Sequence, residues 1–66
     1  MTIPTERTRS VLNTRQFLLD LLDPKKTPRV PMRIRERAYW CLRHYPDTYH
    51  LTRAAIVLPE SWGVVE

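Results

Sequence analysis

The sequence predicts an all-α fold: a small three-helix domain with a proline-rich connector between its first and second helices and a short C-terminal turn. Six prolines and a single glycine divide the chain into three segments, and within each segment the apolar residues recur at helical spacing. A chain of 66 residues has room for one such unit, so residues 1–66 are expected to form a single domain.

The first helix is expected to open at Pro4, which has the backbone angle of a first helical position, with Glu6 next to the positive end of the helix dipole. Asp23-Pro24 stops it, because a residue before proline is driven out of the helical region. Val11, Leu18 and Leu22 fall at i, i+7 and i+11, flanked by Leu12, Leu19 and Leu21, whereas Phe17 lies off this stripe. The connector from Asp23 to Val30 holds two prolines and several polar side chains and reads as a stiff surface loop.

Pro31 is positioned to open the second helix, which carries Ile34, Ala38, Cys41, Leu42 and Tyr45 at i, i+4, i+7, i+8 and i+11 before Pro46 ends it. Asp47 or Thr48 then caps a shorter third helix with Leu51, Ala54, Ala55 and Leu58 on one face. Glu60-Ser61-Trp62-Gly63 reads as a turn, with Trp62 over the end of the core. The expected core joins Leu18, Leu19, Leu22, Ile34, Ala38, Cys41, Leu42, Tyr45, Leu51, Ala55 and Leu58, with the second helix at its centre.

Composition narrows the function classes. Cys41 is the only cysteine, so no internal disulfide is possible and a reducing, cytoplasmic location is expected. No run approaches the about 18 apolar residues that span a bilayer, and the first residues lack the apolar centre of a signal peptide, so no membrane partner is expected. The formal charge of +4 is unevenly spread: residues 23–46 carry seven Lys and Arg against Asp23 and Glu36, while residues 47–66 set Arg53 against Asp47, Glu60 and Glu66. The basic protein is therefore basic mainly in its middle third, which suits an anionic partner.

Thr2-Ile3-Pro4-Thr5-Glu6-Arg7-Thr8-Arg9, Thr27-Pro28-Arg29-Val30-Pro31 and Leu42-Arg43-His44-Tyr45-Pro46 resemble segments of a family of short, uncharacterised bacterial proteins, a domain of unknown function. The resemblance spans residues 1–50 and implies a small bacterial cytoplasmic protein. It brings no catalytic or binding residue with it.

The candidate binding surface is the outer side of the second helix. Arg33, Arg37, Trp40 and His44 fall at i, i+4, i+7 and i+11, and Arg35, Tyr39 and Arg43 form an adjoining strip. Guanidinium planes stack on aromatic rings and match the oxygens of carboxylates and phosphates, so this surface is expected to hold a protein partner, or a second copy of the chain in a homodimer. Nucleic acid is the alternative, with Lys25, Lys26 and Arg29 as a secondary basic cluster. A DNA-reading helix-turn-helix is disfavoured because the connector is far longer than that motif's turn.

Cys41, His44, His50 and Asp47 lack the paired spacing of a structural zinc site, so no metal is expected. Cys41 and His44 lack a third, orienting group for thiol catalysis, and a single glycine excludes a glycine-rich phosphate loop. No enzyme activity, catalytic residue or cofactor is therefore expected.

Overall fold

The computed structural model describes residues 3–65 and is all-α, with three helices, α1 (Pro4–Leu22), α2 (Met32–Leu42) and α3 (Thr48–Val57). The expected connector and C-terminal turn are both present. The contacts divide the chain into two compact units: Met1–Asn13 with Pro46–Glu66, and Thr14–Tyr45. The continuous helix α1 contributes its N-terminal half to the first unit and its C-terminal half to the second.

In the first unit α1 opens at Pro4, with the Arg7 N–H donating to the Ile3 carbonyl at 3.0 Å and Glu6 in the first turn. Asp47 caps α3: its Oδ1 accepts the His50 N–H at 3.2 Å and lies 2.8 Å from His50 Nδ1. The Asp47 N–H also lies 3.5 Å from the same Nδ1, but one nitrogen cannot donate to the carboxylate and accept from an amide together, and the 2.8 Å contact is the real bond. Leu51 is the deeply buried residue of α3, at 4% exposure, while Ala54 and Ala55 are half-buried. Leu58 corrects the expected core, because it stands past the last helical turn, where Pro59 ends the element, and is 54% exposed.

The C-terminal turn is bound to the start of α1. The Ser61 and Trp62 N–H groups donate to the Leu58 carbonyl at 3.0 Å each, and Arg7 donates to the Ser61 carbonyl. Gly63 then packs directly on α1. Its N–H reaches the Pro4 carbonyl and the Thr8 hydroxyl, both at 3.0 Å, and the hydroxyl donates back to the Gly63 carbonyl at 3.0 Å. Thr8 is 1% exposed, so this polar group is buried but satisfied. A Cβ at position 63 would lie 2.4 Å from the Thr5 Cα, which is why this position is glycine.

In the second unit the C-terminal end of α1 has no basic residue in its last turn, and its carbonyls find donors downstream. The Thr27 hydroxyl donates to the Asp20 carbonyl at 2.7 Å, and Arg35 Nη1 donates to the Leu21 carbonyl at 2.5 Å. Arg35 Nη2 holds the Thr27 carbonyl at 2.6 Å, so one guanidinium joins α1, the connector and α2. Asp23 organises the connector, accepting the Lys25 N–H on its side chain at 2.9 Å and the Lys26 and Thr27 N–H groups on its carbonyl. Arg29 adopts φ 65°, a left-handed conformation that is strained for a residue with a side chain.

Helix α2 starts one residue after Pro31, which serves as its N-cap. Its buried face is turned away from the expected stripe. Ala38 is 3% exposed and Leu42 and Arg35 are half-buried, whereas Ile34 is 37% exposed and Cys41 is exposed too. On ideal geometry this is a rotation of about 50° towards Arg35. The guanidinium accounts for it: Arg35 bonds the Leu21 carbonyl of α1 and the Thr27 carbonyl of the connector, which turns its side of α2 inward and Cys41 outward. Leu18, Leu19, Leu22 and Tyr45 are half-buried.

Candidate functional site

The outer surface of α2 is built opposite Ala38. Ideal spacing places Trp40 about 160° around the helix from Ala38, and Trp40 is 61% exposed. Two neighbours fix its indole: the Arg43 guanidinium lies over the ring, 4.8 Å from its centroid, and Tyr39 meets it edge-on at 6.0 Å with the planes 79° apart. Tyr39 and Met32 are exposed on the same side, a spacing of i, i+7 that stacks them along the helix.

Arg33 and Arg37 lie one turn apart and are exposed, and neither forms an ion pair among the described residues. The carboxylates of this unit do not neutralise them. Asp20 accepts from Gln16 Nε2 at 2.9 Å and sits 3.5 Å from Lys26 Nζ, and Asp23 accepts from the connector backbone. Glu36 is exposed on the outer side of α2, one turn before Trp40.

Two of the sequence-derived site residues are placed differently from expectation. Arg35 is not on the outer strip; its guanidinium is committed to Leu21 and Thr27. His44 does not continue the line of Arg33, Arg37 and Trp40 as a helical residue, because α2 ends at Leu42. There the chain tightens to i, i−3 bonds, Arg43 N–H to the Trp40 carbonyl and Tyr45 N–H to the Leu42 carbonyl. Pro46 is the cause, since it forces Tyr45 out of helical geometry. Both His44 and Arg43 remain exposed. Of the secondary cluster, Lys26 faces Asp20, and Lys25 and Arg29 are exposed.

Sequence reasoning missed Arg35, Thr27, Thr8 and Gly63 as the groups that hold the local structure. A signal existed for two of them. Gly63 is the only glycine in the chain, and a helix end at Leu22 with neither a glycine cap nor a basic last turn requires donors from elsewhere.

The chemistry of the remaining polar groups is limited. Among the described residues no three His, Cys, Asp or Glu side chains gather as metal ligands. The His50 N–H holds the Asp47 carboxyl below the ordinary carboxylate range, with the His50 side chain adding to the effect and partial desolvation opposing it. That pair caps α3. The first unit carries a cavity of about 340 Å³ lined by Thr5, Thr8, Arg9, Leu12, Asn13 and Val64, and an apolar notch of about 140 Å³ lined by Thr52, Ala55, Ile56, Val64 and Val65. Neither contains a nucleophile paired with a base. None of the helices is long and apolar enough to cross a membrane among the described residues. No protein-family model, curated protein or solved structure matches the chain.

Proposed function

We propose that the chain is a small, non-enzymatic interaction protein of the bacterial cytoplasm that binds a protein partner through the outer face of α2. The observation that carries this reading is Trp40, 61% exposed and held in place by Arg43 and Tyr39, beside Arg33 and Arg37, which form no ion pair among the described residues. An ordered, exposed indole ringed by arginine is the composition of an interface hot spot, because binding removes a large apolar area at little cost in side-chain freedom. The same face can serve a partner of another sequence or a second copy of this chain. The bacterial setting rests on the family resemblance of residues 1–50, and the cytoplasmic one on the single cysteine.

The test is capture from native bacterial lysate by the tagged parent and by Trp40→Ala, each with and without nuclease. The expected result is a protein retained by the parent, lost from Trp40→Ala and indifferent to nuclease. Loss of capture on nuclease treatment would move the assignment to nucleic acid, and equal capture by both chains would remove α2 from the reading.

A further inference from the structure

We infer that the partner of α2 is an acidic amphipathic helix, with carboxylates one turn apart facing Arg33 and Arg37 and an apolar ridge on Met32, Tyr39 and Trp40. This rests on the reading of α2 as a protein-binding face and specifies what that face accepts.

Charge carries the first step. Arg33 and Arg37 are exposed and unpaired among the described residues, and i, i+4 spacing sets them about 6 Å apart along the axis. Side chains at i and i+4 of a second helix have the same separation, so two Glu one turn apart meet both guanidinium groups together. The apolar component lies alongside. Met32, Tyr39 and Trp40 are all more than half exposed, and the Trp40 ring is fixed edge-to-face against Tyr39. A helix that presented carboxylates alone would leave this surface wet; one with an adjoining apolar ridge covers it.

One detail of the same surface opposes a polyphosphate strand. Glu36, exposed one turn before Trp40, sets a negative charge within the path that a continuous phosphate backbone would follow. Discrete carboxylates on a peptide can be spaced to avoid Glu36, whereas a phosphate at every nucleotide cannot.

The experiment titrates the full-length ¹⁵N-labelled chain with three probes: a synthetic amphipathic helical peptide with Glu at i, i+4 beside a Leu ridge, the same peptide with Gln for Glu, and single-stranded oligo-dT of equal charge. The Trp40 indole signal and the amides of Arg33 and Arg37 report the site. The Glu peptide is expected to shift these signals, the Gln peptide to bind about tenfold more weakly, and oligo-dT to leave the indole unmoved. In Arg33→Glu/Arg37→Glu, checked for helicity by circular dichroism, the preference should invert towards a Lys peptide. Equal binding of the Glu and Gln peptides at Trp40 would overturn the acidic assignment while leaving α2 a protein-binding face. Tighter binding of oligo-dT at the same signals, or no shift with any probe, would overturn both.

Discussion

A single hydrogen atom at Gly63 decides whether the C-terminal turn can reach α1. Any side chain there collides with backbone atoms of Thr5, at 2.4 Å from its Cα and 2.5 Å from its N, and backbone cannot rotate aside as a side-chain tip can. Gly63→Ala is therefore expected to cost at least about 1–3 kcal/mol, the usual penalty of overpacking, and to lower the melting temperature. Thr8 tests the other half of the contact. Its buried hydroxyl both donates to and accepts from Gly63, so Thr8→Val strands the Gly63 carbonyl at about 1–3 kcal/mol while the Gly63 N–H keeps the Pro4 carbonyl, and Thr8→Ser, which keeps the hydroxyl, loses less. Thermal melts of the three variants check the order. At Asp47 the effect is one of pH. Its carboxyl is held below its ordinary value in the folded chain, chiefly by the His50 N–H, so the folded state gains stability above about pH 4 and loses it as pH falls through the lowered folded value. Asp47→Ala should melt below the parent at neutral pH, with the gap narrowing steadily as pH drops under about 4.

At the scale of elements, Arg35 separates a structural arginine from the binding ones on the same helix. Its two charge-assisted bonds to the Leu21 and Thr27 carbonyls are part-buried, and each such bond is worth about 1.5–3 kcal/mol when its acceptor is left without a substitute. Arg35→Ala should lower stability by at least that amount, and Arg35→Lys should restore only part, since an ammonium cannot span both carbonyls with a planar fork. Arg33→Ala and Arg37→Ala should stay within about 0.5 kcal/mol of the parent. Denaturant melts of the four variants decide it. Arg35 also marks what sequence could and could not show. The helix ends followed from local chemistry: Pro4, Asp23-Pro24, Pro46 and Asp47 act on their nearest neighbours, and each boundary they set fell within a few residues of its place. The rotation of α2 did not follow, because it depends on carbonyls eight and fourteen residues away in the chain, and periodicity weighs a side chain by its polarity rather than by its partners. The outer position of Trp40 was legible for the converse reason: its ring partners, Tyr39 and Arg43, lie within three residues of it in sequence, so the pattern of its own helix sufficed.

Across the whole molecule, Ala38 and Leu51 are the deeply buried hydrophobic side chains of the described residues, while larger ones such as Phe17, Trp40 and Ile56 stay mostly exposed. A chain of this size draws no more than about 3–5 kcal/mol from its core, and each of the two units depends on half of one helix. Alpha1 spans nineteen residues, and the unit boundary passes between Asn13 and Thr14. Helical stretches shorter than about 12–15 residues are marginal in isolation, so neither half of α1 should persist once the other unravels, and the chain should unfold in one step. The tryptophans permit a direct test, because Trp62 belongs to the first unit and Trp40 to the second. Trp40→Phe leaves Trp62 as the fluorescent probe of one unit, and Trp62→Phe leaves Trp40 as the probe of the other. The two urea transitions should coincide. Adding Leu51→Ala, a truncation in the first unit that costs about 2–5 kcal/mol, should then shift both probes by the same amount, although Leu51 lies outside the unit that holds Trp40. A transition that moved at Trp62 and stayed in place at Trp40 would show that the two halves of α1 melt independently and that the chain is two cooperative units rather than one.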